Sequence, residues 1–493
     1  MTFRSSLPWL ISLISAAGLV ACGGAGSGAA SLGGGGSTLP VATVTPAYFL
    51  SPTTDTTPPI VGRKMYNINN RVLDADTSAM NPDDLNKLEN DGTSLVMDHR
   101  HRDIRGRQRW NWNEGKGFRS APIGGVTYTN TAYKPDDIRS LYTMPTMPTS
   151  ATADLGAGQT VYIISAFHAP RVQSDLQQFI TRFNLPTCTS TSVPASTTLP
   201  LVNSNTACQL KVAYATADGN LTDTAPNYDA SWAMEATLDV SWVHATAPHA
   251  TIVLIEAADS SLASMVGAIK LANKMGPGVV NMSFAVQEGA WVSDQEALFT
   301  TAGMSYVAAS GDNGTQVNWP AVSTRVVAVG GTTLAWDGTN RTETGWAGSG
   351  GGVSAYLALP TYQSGVAWGS NALTSRTVPD VAFNADPRSG QYVYFTNALG
   401  VGRWIIAGGT SLAAPQWAGI LAINNARKGN VVKSSDVLAR FYLNTLSSSF
   451  WDITTTSETS GRVCAYASCD PMTGFDLVTG VGSPKVSSLL GAL

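Results

Sequence analysis

The chain has 493 residues, a formal net charge of -4 and 13% charged against 43% hydrophobic residues. The length allows a large core and more than one structural unit, and the absence of a basic stripe excludes nucleic acid as a partner. The charged share is about half the usual ~25%, which limits self-repulsion when carboxylates neutralise and suits an acidic setting.

Arg4 and the short apolar run Leu7 to Val20 predict a targeting segment, too short for a transmembrane helix. Leu19-Val20-Ala21-Cys22 resembles the lipobox of bacterial lipoproteins. That resemblance implies a signal over residues 1–22, with Cys22 as the lipidated N-terminus after cleavage. A plain secretory signal with an incidental cysteine is the alternative. Gly23 to Ser37 is rich in Gly, Ala and Ser, and Leu39 to Pro59 in Thr and Pro, so 23–59 reads as a flexible tether. The expected location is outside the cytoplasm, on a membrane through the N-terminal lipid, facing the periplasm or the cell exterior. Residues 60–133 are polar and charge-rich without periodicity, as in His99-Arg100-His101-Arg102-Asp103, and such stretches are most often solvated surface.

The body is expected over 134–493. Strand Val161–Phe167 and helix Ser174–Phe183 precede a Thr/Ser/Asn-rich insertion, Thr187 to Asn227. Helix Ser231–His244 follows. A regular alternation comes next: strand Thr251–Ala257, helix Ser261–Met275, strand Val279–Ser283, helix Ser293–Ala302, strand Ser305–Ser310. Buried strands between amphipathic helices predict a parallel α/β sheet with right-handed crossovers. The five cysteines become four once Cys22 is set aside, and sequence proximity pairs Cys188 with Cys208 and Cys464 with Cys469. Such bridges belong to an oxidising compartment, and scattered free thiols are the alternative.

Three stretches carry chemistry. Gly408-Gly409-Thr410-Ser411 turns from the strand-like Trp404-Ile405-Ile406 into an apolar helical pattern, so Ser411 sits in the field of a helix N-terminus. An ordinary capped turn reads the same way. A serine needs a base. Glu235 and Asp239 lie four apart on a mostly apolar helix, where they stack and where crowding and burial raise the pKa of at least one. Such a pair relays a proton only at acidic pH. Ser310-Gly311-Asp312-Asn313-Gly314 ends a strand, where open α/β sheets place ligand chemistry. A protonated Asp312 can donate to an oxyanion.

Glu-x-x-x-Asp, Ser-Gly-Asp-x-Gly and Gly-Gly-Thr-Ser-x-x-x-Pro, in this order, resemble the sedolisin family of serine-carboxyl peptidases, from about Asp136 to the C-terminus. The resemblance implies a subtilisin-like doubly wound parallel sheet with helices on both faces, plus a short N-terminal extension. It implies Ser411 as nucleophile, Glu235 as general base, Asp239 as its orienting and proton-sharing partner, and Asp312 as oxyanion acid. Ser283, within Asn281-Met282-Ser283-Phe284-Ala285, and Gly350 and Gly351, within the Gly348–Ser354 loop, are the expected substrate contacts. The family's calcium site is matched by Asp452 and Asp476 side chains with Ile453 and Gly474 carbonyls, a hard oxygen set, although Met472 stands where the family has a glycine. Residues 60–133 are short for the family's prodomain and read as a reduced propeptide or spacer. The function implied is a lipid-anchored acid endopeptidase acting on polypeptides. The alternatives are a catalytically silent surface binding or scaffold protein and a neutral hydrolase using His244 as base.

Overall fold

A computed structural model describes residues 39–50, 64–66, 130–147, 152–201, 206–336, 339–369, 371–456 and 470–493. The signal, Cys22, the tether up to Thr38 and over 51–59, most of 60–129 and the Cys464–Cys469 pair lie outside the described residues.

The main sheet has ten strands. Its path runs Arg341–Gly345, Val327–Trp336, Met304–Ala309, Gly278–Met282, Thr160–Ala166, Thr251–Ala257, Cys208–Ala215, Cys188–Ser192. Val381–Asn384 joins beside Val327–Trp336, and Leu221–Thr222 beside Cys208–Ala215. All neighbours along the centre are parallel, while Arg341–Gly345 and Leu221–Thr222 pair antiparallel. Alternate side chains of each strand enter two different cores. Val161, Ile163, Ile252 and Leu254 pack with helices Ala230–Thr246 and Thr410–Lys428. Tyr162, Ile164, Val253 and Ile255 pack with helix Leu262–Met275 on the other face. The sheet is therefore doubly wound with helices on both faces, as expected. The direction of winding reverses at Thr160–Ala166, which puts the ligand crevice at the C-terminal ends of the neighbouring strands.

Local sequence explains the two helices that matter most. Asp229 caps Ala230–Thr246 by accepting from Trp232 N–H at 3.0 Å, and no position along that helix is exposed. A helix apolar on every side belongs inside a protein, so Glu235 and Asp239 are buried by their context. Thr410–Lys428 starts after Gly409 at φ +106° and ends at Gly429 in the left-handed region. Pro415 lies within it. A proline has no N–H to return to the carbonyl four residues back, which leaves the Ser411 carbonyl without that helix bond, 3.4 Å from Ser283 Oγ.

Three expectations need correction. The stretch 187–227 is not a loose insertion: Cys208–Ala215 is an interior strand whose partners are Thr251–Ala257 and Cys188–Ser192. Its alternating burial is visible in Cys208, Leu210 and Val212, masked in the sequence by Thr/Ser/Asn-rich flanks. Ala290–Phe299 forms 3₁₀ turns where an α-helix over Ser293–Ala302 was expected. The third concerns residues 39–50, read as part of the tether. Thr45–Pro46 pairs with Phe284–Ala285, Phe49–Leu50 pairs with Ala407–Gly408, and Ala47, Tyr48 and Phe49 are buried. The apolar Ala-Tyr-Phe run inside a Thr/Pro-rich stretch gives this segment something to bury.

Candidate active site

Ser411 occupies the first turn of its helix, completely buried. Its Oγ donates to the Ser283 carbonyl at 3.0 Å and accepts from Ala47 N–H at 3.0 Å. Its own N–H donates to the Ala47 carbonyl at 2.8 Å. A peptide carbonyl of the chain itself thus sits at the helix N-terminus beside the serine hydroxyl. Gly409 makes that approach possible. A Cβ there would stand 2.4 Å from Ala47 O and 2.5 Å from Asp312 Oδ2, and its φ of +106° also favours glycine.

Asp312 ends the turn after strand Met304–Ala309. Its Oδ1 accepts from Thr410 N–H at 2.8 Å and Thr410 Oγ at 2.7 Å, whereas Oδ2 is buried without a partner. Burial pushes its pKa up to about 7, against the Thr410 bonds that pull it down. The free oxygen and the Ala47 carbonyl converge on the same point beside Gly409. Two acceptors side by side favour a proton on Asp312, whose Oδ2 makes no hydrogen bond of its own.

Glu235 and Asp239 are buried on one face of their helix. Burial raises Glu235 well above the carboxylate range. Asp239 and Asp312 add to the rise, and the neighbouring Ser411 hydroxyl works against it. With Ser411 Oγ turned to Ser283, neither Glu235 oxygen has a hydrogen-bond partner. Burial also raises Asp239, opposed by Ser283 and Asn281. Asp239 Oδ1 accepts from Ser283 Oγ at 2.7 Å, and Ser283 Oγ accepts from Asn281 Nδ2 at 2.9 Å. Asp239 is therefore oriented by Ser283 and coupled to Glu235 through charge. No cationic side chain contributes to the shift of any of the three acids.

The structure brings together Ser411, Glu235, Asp239, Asp312 and Ser283. Gly350 and Gly351, expected to line the cleft in a flexible loop, lie in a packed one. Gly350 N–H donates to Gly311 O at 2.6 Å, and a Cβ would lie 2.3 Å from Ser310 O. Gly351 is pressed against Leu477 O, at 2.0 Å from a Cβ. Both are buried, and they brace the Asp312 turn from below. His244 is no base. It is buried on the same helix, its Nε2 hydrogen-bonds Pro186 O at 2.8 Å, and burial drives its pKa down to about 4. Cys188 and Cys208 are bonded, as parallel-strand neighbours 4.6 Å apart at Cα.

Of the expected metal residues, Asp452 and Gly474 meet directly. Gly474 N–H donates to both Asp452 oxygens at 3.0 and 3.2 Å. Asp476 is buried, accepts from Val478 N, Thr479 N and Thr479 Oγ at 2.8 to 2.9 Å, and still has its pKa pushed up to about 7 by burial. Met472 does not take a positive φ, so a non-glycine residue fits there.

Sequence reasoning missed Thr410, which holds Asp312, and the second edge of the cleft. There Ser260 O accepts from Val44 N–H at 2.9 Å, and Leu262 N–H donates to Ala42 O at 2.9 Å. Thr410 stands in the Gly-Thr-Ser motif, where its type is a usable signal. The second edge uses backbone atoms only and leaves no trace in side chains.

Fold and site define a subtilisin-like α/β protein in which carboxyls, not a histidine, surround the serine. The subtilase family model matches residues 214–474, just over half of the chain, and the chain belongs to that family. Kumamolisin of Bacillus sp. (strain MN-32) is 33% identical over 294 residues, covering 52% of this chain and 50% of the relative. Sedolisin of Pseudomonas sp. (strain 101) is 28% identical over 346 residues, covering 62% and 52%. The chain thus spans about half the length of the curated relatives it matches. The fold is shared with a solved structure of Pseudomonas sedolisin, a serine-carboxyl proteinase, complexed with two molecules of pseudo-iodotyrostatin. That match has a TM-score of 0.56 and 24% identity over 73% of this chain and 97% of the other.

Proposed function

We propose that the protein is an exported, lipid-anchored serine-carboxyl endopeptidase that hydrolyses peptide bonds at acidic pH through an acyl-enzyme. The observation that carries this reading is the convergence on one peptide carbonyl of the Ser411 N–H and the unpartnered Asp312 Oδ2, with Ser411 Oγ alongside. Glu235 takes the Ser411 proton as the hydroxyl attacks. Asp239, coupled to it, shares the charge. The oxyanion receives bonds from Ser411 N–H and the Asp312 acid, donors fixed before the reaction begins. Glu235 then protonates the departing amine, and a water repeats the cycle in reverse to free the serine. The Asp312 proton is needed, so activity is present in acid and lost as pH rises through about 7.

Calcium held by Asp452 and Asp476 side chains with Ile453 and Gly474 carbonyls is part of the same proposal. Two segments distant in sequence bring a buried carboxylate and a second one to a single loop cluster, a donor set suited to a hard cation. The ion would tie the C-terminal loops together and takes no part in the chemistry. Export and the anchor rest on the Arg4-to-Cys22 pattern and on the Cys188–Cys208 bond. Digestion of a denatured protein by wild type and Ser411→Ala at acidic and neutral pH tests the activity. Equal activity of the two, or none from folded wild type, would overturn it. Metabolic labelling with a fatty acid, with Cys22→Ala as control, tests the anchor.

A further inference from the structure

We propose that Cys188, Cys208 and His244 bind one thiophilic divalent cation, of the chemistry of zinc(II), when the Cys188–Cys208 bond is reduced. The bond and the ion are alternative ties at the same place in the fold. The inference does not rest on the peptidase reading.

The site lies at one edge of the main sheet. Strand Cys188–Ser192 ends the path, and all of its side chains after Cys188 are exposed. It buries little apolar surface of its own, so the link from Cys188 to its register neighbour Cys208 carries much of its attachment. His244 faces this link from the last turn of helix Ala230–Thr246 and is fully buried. Both sulfurs and a ring nitrogen of His244 lie within 4.8 Å of one another. A zinc-like ion takes thiolate at about 2.3 Å and imidazole at about 2.0–2.1 Å, so tetrahedral donors stand about 3.5–3.8 Å apart. Rotation of the freed cysteine side chains can reach that spacing.

The histidine carries the second observation. Its Nε2 donates to Pro186 O at 2.8 Å, which leaves the lone pair on Nδ1, and Nδ1 is buried without a partner. An unpartnered buried polar atom is costly, and a ligand would satisfy this one. Metal-bound imidazoles commonly give their other N–H to a carbonyl, which fixes the tautomer. Burial also keeps the ring neutral, the form that binds a metal.

A dithiol supplies the reduction. It gives two electrons and two protons to the sulfur–sulfur bond and closes to its own disulfide. The cation then displaces the two thiol protons. Two thiolates and a divalent ion sum to no net charge, which suits a buried place. Because His244 shares its helix with Glu235 and Asp239, the ion would tie the sheet edge to that helix, which the sulfur–sulfur bond does not do.

The test uses the full chain with Ser411→Ala, which keeps it intact. The chain is made reduced by cell-free synthesis in a dithiol and desalted without oxygen, and half is oxidised to restore the bond. Cobalt(II) is the probe. The reduced chain should show thiolate-to-cobalt charge-transfer absorption with the visible bands of tetrahedral cobalt, zinc(II) should displace it, and the oxidised chain should show neither. Cobalt should slow alkylation of Cys188 and Cys208, followed by peptide mass. His244→Gln should weaken binding by more than the roughly 10- to 100-fold that loss of an outer partner costs. A reduced chain without thiolate absorption, the same absorption in the oxidised chain or in Cys188→Ser, or protection confined to Cys22, Cys464 and Cys469 would overturn the site. Equal affinity in His244→Gln would overturn the three-donor assignment. The alkylation map reads unsubstituted cysteines and decides the matter even where a substituted chain does not fold.

Discussion

Two groups of buried carboxylates in this protein meet burial in opposite ways. Asp380 is fully buried, and so is its partner Arg376, whose Nη1 and Nη2 donate to the two Asp380 oxygens. Tyr442 and Ala328 N–H add bonds at 2.7 and 2.8 Å. Both of its oxygens are matched and fixed. Glu235, Asp239 and Asp312 are as deeply buried, yet four of their six oxygens lack a partner, and among the described residues no cation contributes to their shifts. An isolated buried charge is costly, so Asp312 holds a proton while Glu235 and Asp239 share one between them, which leaves Glu235 able to take the Ser411 proton. The first set builds the fold. The second keeps protons available beside a serine, and the gathering of unpartnered carboxyl oxygens there marks it as the working one.

That contrast can be broken from either side. Ser411→Ala should lower peptide hydrolysis by at least about 10^4-fold with the circular dichroism unchanged, because the triad-like groups act as one unit. Glu235→Gln should cost about 10^2- to 10^4-fold, the usual contribution of a general base. Arg376→Met attacks the structural set: it strands Asp380 and should destabilise by about 3–5 kcal/mol in urea unfolding, without changing the shape of the pH–rate profile. Asp312→Asn keeps a donor on the oxyanion side, so its loss should stay within about 10^2-fold while the fall in activity near neutrality moves to higher pH.

The smallest effect is on stability against pH. Asp312 folded holds its proton up to about 7, against an ordinary 3.8. Asp476 behaves the same way, also at about 7. Their contributions are complete below about 4 and are lost as pH rises through about 7. His244, lowered from 6.5 to about 4, acts in reverse: its contribution is complete above 6.5 and is lost as pH falls through about 4. With more acids than histidines involved, Tm should peak on the acid side and decline between pH 5 and 8. Calcium should raise Tm at neutral pH and blunt that decline by holding Asp476 charged, and EGTA should remove the gain.

Much of this was legible in the sequence because the motifs are local. Glu235 and Asp239 share a helix turn, Asp312 ends a strand, and Ser411 follows its glycines, so each announces itself within a few residues. The regular run from Thr251 to Ser310 showed the sheet for the same reason. What could not be read depends on distant backbone. The pairing of Thr45–Pro46 with Phe284–Ala285 spans more than two hundred residues and uses main-chain atoms that every sequence has. Gly350 and Gly351 looked like a free loop because glycine signals mobility and close packing alike. Here they pack, with Cβ positions already taken by Ser310 and Leu477 carbonyls.

The central claim is that carboxyl protons run the serine. The most direct test is the initial rate of denatured-protein hydrolysis from pH 3 to 8, wild type beside Ser411→Ala. The account predicts acid activity that vanishes in the mutant and, in wild type, falls as pH rises through about 7. A wild-type rate that climbs through neutrality, as a neutral imidazole base would give, would contradict it.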